Sequence, residues 1–439
     1  MAAQPPPPKT ALVFRAGGAI SNDVLRALTP TLMHKASKMK FVFHTNSISP
    51  HQLPLAREIV KSVGAGNYRY VYTTPQTDER KKLGWTDEDA EWIICEKDEP
   101  EICREWIDGC DVLMSGIREV GLFERRAKAG LKTIYASERW FKPRLGILRL
   151  IRPSYFKMAW RFVKLLRGAE KMYYFPMGVH AARDMARLCG LMHGDLGCLF
   201  SAPELEFERK PGGKIFLATK STKNTKKYCL DKMRMWGYFV ESSKVPKFEG
   251  SKVGELESSK VNLQTFKPSN LQTLNVLWVG RLLDWKRVDT IIKAVGEFYN
   301  SSVSNYNSSL QLQLDIYGSG PAEKGLKKMA AKYGDLIKFH PPVPIGEVRK
   351  LMHEHDVYIL ASNGQEGWGA VVSEALEEGM KVIGTYEAGS SATMLPESNL
   401  FHAGDWRELK SLFNAGVPSL AIDAWSAEKA AMTLFKDPE

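Results

Sequence analysis

Short apolar segments rich in β-branched and aromatic residues alternate with amphipathic segments over most of this chain. Two of the amphipathic segments, Leu53–Val63 and Pro100–Ile107, have the pattern of surface helices. The apolar segments of the first half are KFVFH (40–44), YRYVYTT (68–74), EWIIC (91–95), DVLM (111–114), KTIYAS (132–137) and KMYYF (171–175). This alternation predicts an α/β fold with a parallel sheet.

A second series of the same kind follows residues 241–272, a stretch rich in Ser, Lys, Pro and Gly that has no sustained hydrophobic period. Its predicted strands are LNVLWVG (274–280), LQLDIYG (312–318), LIKFH (336–340), DVYIL (356–360) and KVIGT (381–385), with a helix over Val288–Tyr299. A chain of 439 residues is too long for one ordinary core. We therefore predict two doubly wound domains, 39–240 and 273–420, with 241–272 as their linker.

The two ends of the chain differ from these series. Residues 1–38 open with a proline run and show no clear period, so we predict an extension, with the fold beginning close to Met39. Residues 421–439 are predicted to form a C-terminal helix that packs back on the first domain.

The net charge of +11 predicts attraction to an anionic partner, which could be a nucleic acid, an acidic membrane or a phosphorylated small molecule. No zinc-finger spacing, helix-turn-helix signal or RNP-like motif is present, so we expect no nucleic-acid partner.

Six cysteines without a CxxC pair indicate neither a zinc site nor a disulfide framework, and fit a reducing cytoplasm. No apolar run approaches the roughly 18 residues that span a bilayer.

Two glycine-containing motifs follow predicted strands of the second domain, at the edge where doubly wound sheets bind ligands. Gly280 and Arg281 come directly after one strand, with Lys286 five residues later, and such cations suit a diphosphate. Two surface cations in a loop are the alternative. Gly318, in YGSGP, permits close backbone approach to a ligand or to another element. A tight turn before a helix explains it equally well.

The third motif, QEGWGAVVSEAL at 365–376, follows another strand and is predicted to open a helix. Gly367 and Gly369 would free backbone N–H groups at a helix N-terminus, where an anion is favoured. On one helix, Glu366 and Glu374 would lie roughly 12 Å apart along the axis. Glycosidase carboxylate pairs lie only about 5–9.5 Å apart. The larger separation of Glu366 and Glu374 suits an elongated ligand that is held at two places. The alternative is that the two residues are ordinary helix glutamates without a ligand.

Together these motifs resemble the nucleotide-sugar domain of family-4 retaining glycosyltransferases, which have the GT-B fold of two Rossmann-like domains facing across a cleft. The resemblance runs from about residue 274 to 405. It is carried by GR…K (280–286), YGSGP (317–321), the E-x7-E pair in EGWGAVVSEALEEG (366–379), VIGTYEAGS (382–390) and LFHAGD (400–405). The sequence departs from the family in two places. The family usually has an acidic residue a few positions after the glycine turn, whereas Gly389 is followed here by Ser390 and no acid. Glu377-Glu378-Gly379 also replaces the usual Ala-Cys-Gly. The donor base and sugar stay open.

The resemblance implies transfer of a sugar, with retained configuration, from a nucleotide diphosphate to a glycan or polyprenyl-linked acceptor, without a metal or cofactor. Surface or capsular polysaccharide assembly in a bacterium is the expected setting. A catalytically inactive scaffold, or another GT-B enzyme such as a nucleotide-sugar epimerase or a phosphorylase, is the alternative.

The same resemblance assigns roles to single residues. Arg281 and Lys286 would neutralise the donor diphosphate, with Gly280 and Gly318 beside them, and Glu366 would contact hydroxyls of the donor sugar at the catalytic centre. Glu374 would accept hydrogen bonds from the ribose. The phosphates would meet backbone N–H groups around Gly367, Trp368, Gly369 and Ala370.

The first domain resembles the family more weakly. The loop SISPHQLP, 47–54, follows the first strand, where relatives often carry a loop that faces the cleft. Ser49 is placed on the acceptor side and His51 among the catalytic candidates, with a structural loop histidine as the alternative. Glu138, which follows the strand KTIYAS, is expected to line the acceptor side.

The segment 142–167 contains eight cations, no acid and many interleaved apolar residues. This pattern predicts an amphipathic segment at a membrane surface, whereas a solvated basic face on a core helix is the alternative. We expect the protein to be cytoplasmic and peripheral on the inner face of the plasma membrane, with the basic run 209–227 adding to the surface. The predicted membrane-surface residues are Arg149, Arg152, Lys157, Arg161, Lys164 and Arg167.

Overall fold

The computed structural model describes residues 37–85, 90–143, 145–199, 205–210, 214–219, 272–304 and 310–416. The predicted linker therefore lies outside the described residues except for its last residue, and so do the predicted C-terminal helix and nearly all of the predicted N-terminal extension. Most of the second basic run, 209–227, also lies outside them.

The first domain contains a six-stranded sheet in which every neighbouring pair is parallel, in the order β3-β2-β1-β4-β5-β6. Successive residues of the first strand point to opposite faces of the sheet. Phe41 and Phe43 pack in the core on one face, and Val42 packs in the core on the other. Both faces are covered, as in doubly wound sheets. The strands are β1 (Phe41–Thr45), β2 (Tyr68–Tyr72), β3 (Ile93–Cys95), β4 (Val112–Ser115), β5 (Lys132–Ser137) and β6 (Met172–Pro176).

Helices connect these strands, and the first of them has the bounds predicted from its sequence. It buries Leu53, Ala56, Ile59 and Val63, which are three or four residues apart and therefore share one face. The helices are α1 (Leu53–Val63), α2 (Asp78–Lys82), α3 (Pro100–Gly109), α4 (Val120–Lys128), α5 (Pro153–Gly168) and α6 (Val179–Met192), with a 3-10 helix over Gly146–Ile151. An antiparallel hairpin of β7 (Leu205–Lys210) and β8 (Lys214–Thr219) follows.

The second domain repeats this layout, with parallel strands in the order β11-β10-β9-β12-β13-β14. The strand order reverses between β9 and β12, and ligands of such sheets bind at the crevice formed there. The prediction of two Rossmann-like sheets is confirmed. The elements are β9 (Gln272–Val279), α7 (Val288–Ser304), β10 (Leu310–Tyr317), α8 (Glu323–Ala330), β11 (Ile337–His340), α9 (Ile345–Glu354), β12 (Val357–Leu360), α10 (Val371–Glu377), β13 (Lys381–Thr385), α11 (Gly389–Met394), β14 (Leu400–Phe401) and α12 (Trp406–Asn414).

Loops at the carboxyl edges of the two sheets contact each other. The backbone N–H of Val179, which begins α6, donates to Thr393 Oγ1 in α11 at 3.0 Å. Gly178 has a φ of +86°, and a methyl group there would lie 2.8 Å from the ring of Trp368. Glycine is therefore required at residue 178 both by its backbone conformation and by the close approach of the second domain.

Candidate active site

Lys286 and Glu366 form an ion pair at the switch point of the second sheet. Lys286 ends a 3-10 turn after β9, and Glu366 lies in the loop after β12. The Lys286 Nζ donates to Glu366 Oε2, and Ser362 Oγ donates to the same oxygen at 2.9 Å. The side chains of Lys286 and Glu366 are only 19% and 13% exposed. A charged pair is therefore held in the crevice where ligands of this fold bind.

Further contacts join the two loops around this pair. The Lys286 Nζ lies 4.6 Å above the ring of Trp285, which stabilises its positive charge. The carbonyl of Trp285 accepts a hydrogen bond from the backbone N–H of Asn363 at 2.9 Å. Arg281, the other predicted diphosphate ligand, is exposed in the loop after β9. The predicted cations thus follow one strand and the predicted sugar ligand follows its neighbour.

Gly318 allows the loop after β10 to support the loop after β9. A methyl group at Gly318 would lie 1.9 Å from the carbonyl oxygen of Gly280. The backbone N–H of Gly280 donates to the carbonyl of Tyr317 at 3.0 Å, and that of Leu282 donates to Ser319 at 2.8 Å. The glycine of YGSGP therefore permits close approach to another element, one of the possibilities that its sequence left open.

The prediction that one helix carries both glutamates is wrong. Helix α10 begins at Val371, so Glu366 lies in the preceding loop and the axial separation calculated for one helix does not apply. Gly369 has a φ of +85°, which interrupts the helical conformation. The carbonyl of Trp368 accepts from the backbone N–H of Ser390 instead of from a helical N–H.

The loop from Trp368 to Ala370 presents backbone donors. Within the described residues, the N–H groups of Trp368, Gly369 and Ala370 have no hydrogen-bond acceptor. Ser390 binds the opposite side of the loop: its N–H donates to the Trp368 carbonyl and its Oγ to the Gly369 carbonyl, both at 2.8 Å. Because N–H and C=O point in opposite directions in a trans peptide, the N–H groups of Gly369 and Ala370 point away from Ser390. Successive N–H groups of this kind can bind an anion.

Ser390 occupies the segment in which the sequence departs from the family by lacking an acid. The contribution of Ser390 does not show in the sequence motifs, because its hydrogen bonds reach a loop about twenty residues earlier in the chain. Its position directly after Gly389, in the loop and turn that follow the predicted strand KVIGT (381–385), was the available signal. Glu377 and Glu378, the other departure, both pair with Arg349 of α9. Burial raises the pKa of Glu377 to about 7, although Arg349 opposes that shift.

Glu374 and His51 meet across the two domains. Glu374, in α10, is buried, and its Oε1 lies 3.1 Å from Nδ1 of His51 in the loop after β1. The His51 ring packs edge-on against Trp85, with centroids 5.8 Å apart. The structure therefore places the predicted ribose ligand and the predicted catalytic histidine in one contact. The catalytic role of His51 stays a prediction.

The two predicted acceptor-side residues differ in what they contact. The carbonyl of Ser49 accepts from the N–H groups of Gln52 and Leu53, so Ser49 forms the turn that opens α1. Glu138 accepts from Lys142 Nζ at 2.8 Å. A methyl group at Gly367 would lie 1.9 Å from Glu138 Oε2. Glu138 therefore reaches the loop of Glu366, whereas Ser49 has a local structural contact.

His180 links α6 to the loop after β13. Its Nε2 lies 2.8 Å from the carbonyl oxygen of Tyr386. Because a carbonyl only accepts, Nε2 carries the proton. Burial, with the nearby charges of Arg139 and Arg183, lowers the pKa of His180 to about 4. The imidazole is therefore neutral at pH 7.

This shift predicts a pH-dependent loss of stability. The unfolded chain binds a proton at His180 below about pH 6.5, whereas the folded chain does not until about pH 4. The free energy of unfolding should therefore fall as the pH falls from 6.5 to 4, by up to about 3 kcal/mol. Urea unfolding of His180→Gln, whose amide can still donate to Tyr386, should lack this component. The matched variant His353→Gln, on an exposed histidine, should keep it, and equal slopes in all three proteins would contradict the account.

The comparisons with known proteins agree with this architecture. Residues 262–414 match the family described as Glycosyl transferases group 1. No curated protein sequence matches the chain. The structure is similar to a UDP-forming α,α-trehalose-phosphate synthase from Burkholderia xenovorans, with a TM-score of 0.51 and 9% identity over 90% of this chain and 94% of that chain.

Two further structures have lower TM-scores. Anabaena Alr3699/HepE in complex with UDP-glucose has a TM-score of 0.48 and 14% identity over 90% of this chain and 95% of that chain. The catalytic domain of the cholesterol-α-glucosyltransferase from Helicobacter pylori has a TM-score of 0.28 and 24% identity over 32% of this chain and 84% of that chain. The likeness to the synthase, at 9% identity, establishes the fold alone. Residues 262–414 are thus similar to the Glycosyl transferases group 1 family, and the two domains have the GT-B fold.

Proposed function

We propose that the protein is a retaining glycosyltransferase that moves a sugar from a nucleotide diphosphate to a glycan or lipid-linked glycan acceptor. The observation that carries the proposal is the pairing of Lys286 with Glu366 at the switch point, within the region that matches the family model. The pair holds one positive and one negative side chain where a diphosphate and sugar hydroxyls would need them.

Each residue has a proposed role that fits its surroundings. Lys286 leaves Glu366 to bind the diphosphate, with Arg281 as the second cation. The freed Glu366 accepts hydrogen bonds from sugar hydroxyls while Ser362 still holds its Oε2. The N–H groups of Gly369 and Ala370 bind phosphate oxygens, and Glu374 exchanges His51 for the ribose. We also propose that these groups neutralise the diphosphate without a metal ion.

Nucleotide release from a panel of UDP-, GDP-, ADP- and dTDP-sugars tests the proposal. We expect slow release from one donor in the absence of an acceptor, also after treatment with EDTA. NMR of the first-formed free sugar should show the anomeric configuration of the donor. Inverted configuration would contradict the retaining mechanism. Binding without release would indicate an inactive scaffold, and an isomerised sugar still attached to its nucleotide would indicate an epimerase.

The first domain exposes an apolar and cationic surface formed by the 3-10 helix Gly146–Ile151 and helix α5. Helix α5 buries its other face, which includes Phe162 and Leu166. Within the described residues, no helix combines the length and apolar character needed to cross a bilayer. The large apolar side chains exposed on this surface are Leu145, Leu148, Ile151, Phe156 and Trp160, with Ile151 75% exposed.

Cations surround these apolar side chains. Arg152, Lys157, Lys164 and Arg167 are exposed, and Arg149 is half-buried. Arg161 differs from the others, because it is half-buried and its Nε donates to Glu124 at 2.9 Å. Its charge is therefore offset within the protein, and we leave it out of the proposed surface. Each remaining exposed cation would contribute about 1 kcal/mol of attraction to an anionic leaflet.

We propose that this surface binds the anionic inner face of the plasma membrane, where a polyprenyl-linked acceptor of surface-polysaccharide assembly would be reached. The exposed apolar side chains would enter the interface, as in monotopic amphipathic segments. An acceptor anchored in the same membrane would then lie close to the cleft without having to leave the bilayer.

Vesicle co-sedimentation tests the membrane proposal. Trp160→Glu removes an exposed ring and adds a negative charge, so binding to phosphatidylglycerol-containing vesicles should weaken by about tenfold. Ile102→Glu makes the same kind of change at an exposed apolar side chain of α3 and should leave binding unchanged. Equal binding of wild type to neutral phosphatidylcholine vesicles, or equal losses in both variants, would contradict the proposal.

A further inference from the structure

Two loops of the first domain form one unit at the carboxyl edge of its sheet. The first loop lies between β1 and α1, and the second follows β2 and includes α2. The backbone N–H of Thr74 in the second loop donates to the carbonyl of Asn46 in the first at 2.8 Å. Gln76 is buried, and its side-chain amide donates to the carbonyl of Ile48. The two loops are therefore held against each other.

Both loops contact the second domain, and they do so at neighbouring helices. In the first loop, His51 Nδ1 lies 3.1 Å from Glu374 Oε1 in α10. In the second loop, the carbonyl of Leu83 accepts from the backbone N–H of Ile345, which begins α9, at 3.0 Å. Helices α9 and α10 pack on the same face of the second sheet. The first domain therefore covers the start of α9 and the part of α10 that carries Glu374.

Trp85 ends the second loop and lies beside the contact between His51 and Glu374. Its ring centroid is 5.8 Å from that of His51, and the two ring planes are 85° apart. The guanidinium of Arg80 lies 5.0 Å from the centre of the Trp85 ring, and this attraction helps to hold the indole in place. Leu83, two residues earlier, fixes the backbone against α9. The imidazole of His51 therefore contacts an aromatic ring and a carboxylate at once.

A nucleoside in place of that imidazole would meet the same two groups. In the proposed function, ribose hydroxyls replace His51 at Glu374, and the base is joined directly to the ribose. The diphosphate lies toward Lys286 at the switch point, so the base extends from the other side of the ribose. A base bound in this way would lie against the ring of Trp85. Flat aromatic bases stack well on aromatic side chains.

We propose that the indole ring of Trp85 stacks on the base of the nucleotide-sugar donor. The inference rests on the proposed transferase function, because it assigns Trp85 to a part of the same donor. It brings the first domain into a site whose other proposed ligands, among them Lys286, Glu366 and Glu374, belong to the second domain. Every base has an aromatic face, so the contact supplies affinity without selecting one base over another.

Calorimetric titration with UDP, GDP, ADP and dTDP, together with tryptophan fluorescence, tests the assignment. Wild type should bind at least one of them, with quenching of its fluorescence. Trp85→Leu should weaken that binding by about tenfold. Trp85→Phe keeps an aromatic ring, so its affinity should stay within about threefold of wild type, whereas the quenching should decrease. The matched control Trp106→Leu removes another half-buried ring that faces an arginine, on α3, and should bind as wild type does.

The outcomes separate the assignment of Trp85 from the proposed function. A loss of affinity confined to Trp85→Leu, with reduced quenching in Trp85→Phe, would support stacking on the base. Equal affinity in wild type and Trp85→Leu, unchanged quenching in Trp85→Phe, or equal losses in Trp85→Leu and Trp106→Leu would overturn the assignment and leave the transferase proposal standing. If none of the four nucleoside diphosphates binds to wild type, the transferase proposal fails, and the assignment of Trp85 fails with it.

Discussion

Replacing Lys286 with Ala is expected to lower the rate of nucleotide release from the donor by about 10²–10³-fold. The lysine supplies the charge that neutralises the leaving diphosphate, and it lies in a crevice where water screens charges poorly. Its removal also leaves Glu366 without its cation, with the hydrogen bond from Ser362 as its remaining contact. The measurement is the turnover number for donor hydrolysis, with thermal unfolding recorded to confirm that the variant is folded.

The chain contains a matched control for this substitution. Lys327 also pairs with a glutamate, Glu323, at 2.7 Å, but this pair lies on the surface of helix α8. Lys327→Ala should therefore leave donor hydrolysis within about twofold of wild type, since exposed ion pairs contribute little. Lys286→Arg keeps the charge and should recover part of the lost rate. If Lys286→Ala and Lys327→Ala hydrolyse the donor equally fast, Lys286 is not a diphosphate ligand.

Gly318→Ala is expected to lower the free energy of unfolding by about 3 kcal/mol. The new methyl group would lie 1.9 Å from the Gly280 carbonyl oxygen, and the residue has a φ of +153°. Backbone must move to admit the methyl group, and the moving loop is the one that carries Arg281 and Lys286. We therefore expect weaker binding of the nucleoside diphosphate together with the loss of stability.

Gly325→Ala provides the comparison for Gly318→Ala. A methyl group at Gly325, in the first turn of α8, meets no atom within 4 Å. Alanine also favours helix over glycine, so urea unfolding should show equal or higher stability for this variant. If Gly318→Ala were as stable as wild type, the stability of the protein would not depend on the close backbone approach of the loops after β9 and β10.

The sequence predicts the elements of this fold well where burial determines them. The bounds of KTIYAS and KVIGT as strands, and of Leu53–Val63 as a helix, agree with the structure. Central strands of a parallel sheet are covered on both faces, so they have continuous apolar runs that stand out from the polar loops. A predicted strand also predicts where that strand ends. The loops that carry Lys286 and Glu366 begin at such ends, so the sequence locates them too.

Contacts between distant parts of the chain could not be predicted in this way. The pairing of His51 with Glu374 joins two domains, and no local pattern specifies which residues meet across a cleft. The same holds for Arg161, whose partner Glu124 lies outside the basic segment. The start of α10 was misplaced for a local reason: two glycines and the hydrogen bond from Ser390 override the helical spacing of the glutamates.

A crystal structure of the protein with an unhydrolysed nucleotide sugar tests the central claim most directly. We predict the diphosphate between Lys286 and the N–H groups of Gly369 and Ala370, with the Lys286–Glu366 ion pair opened and Glu366 bound to the sugar. The ribose should replace His51 as the partner of Glu374. A donor bound away from the switch point, or bound while the Lys286–Glu366 pair stays intact, would contradict the assignment of this site.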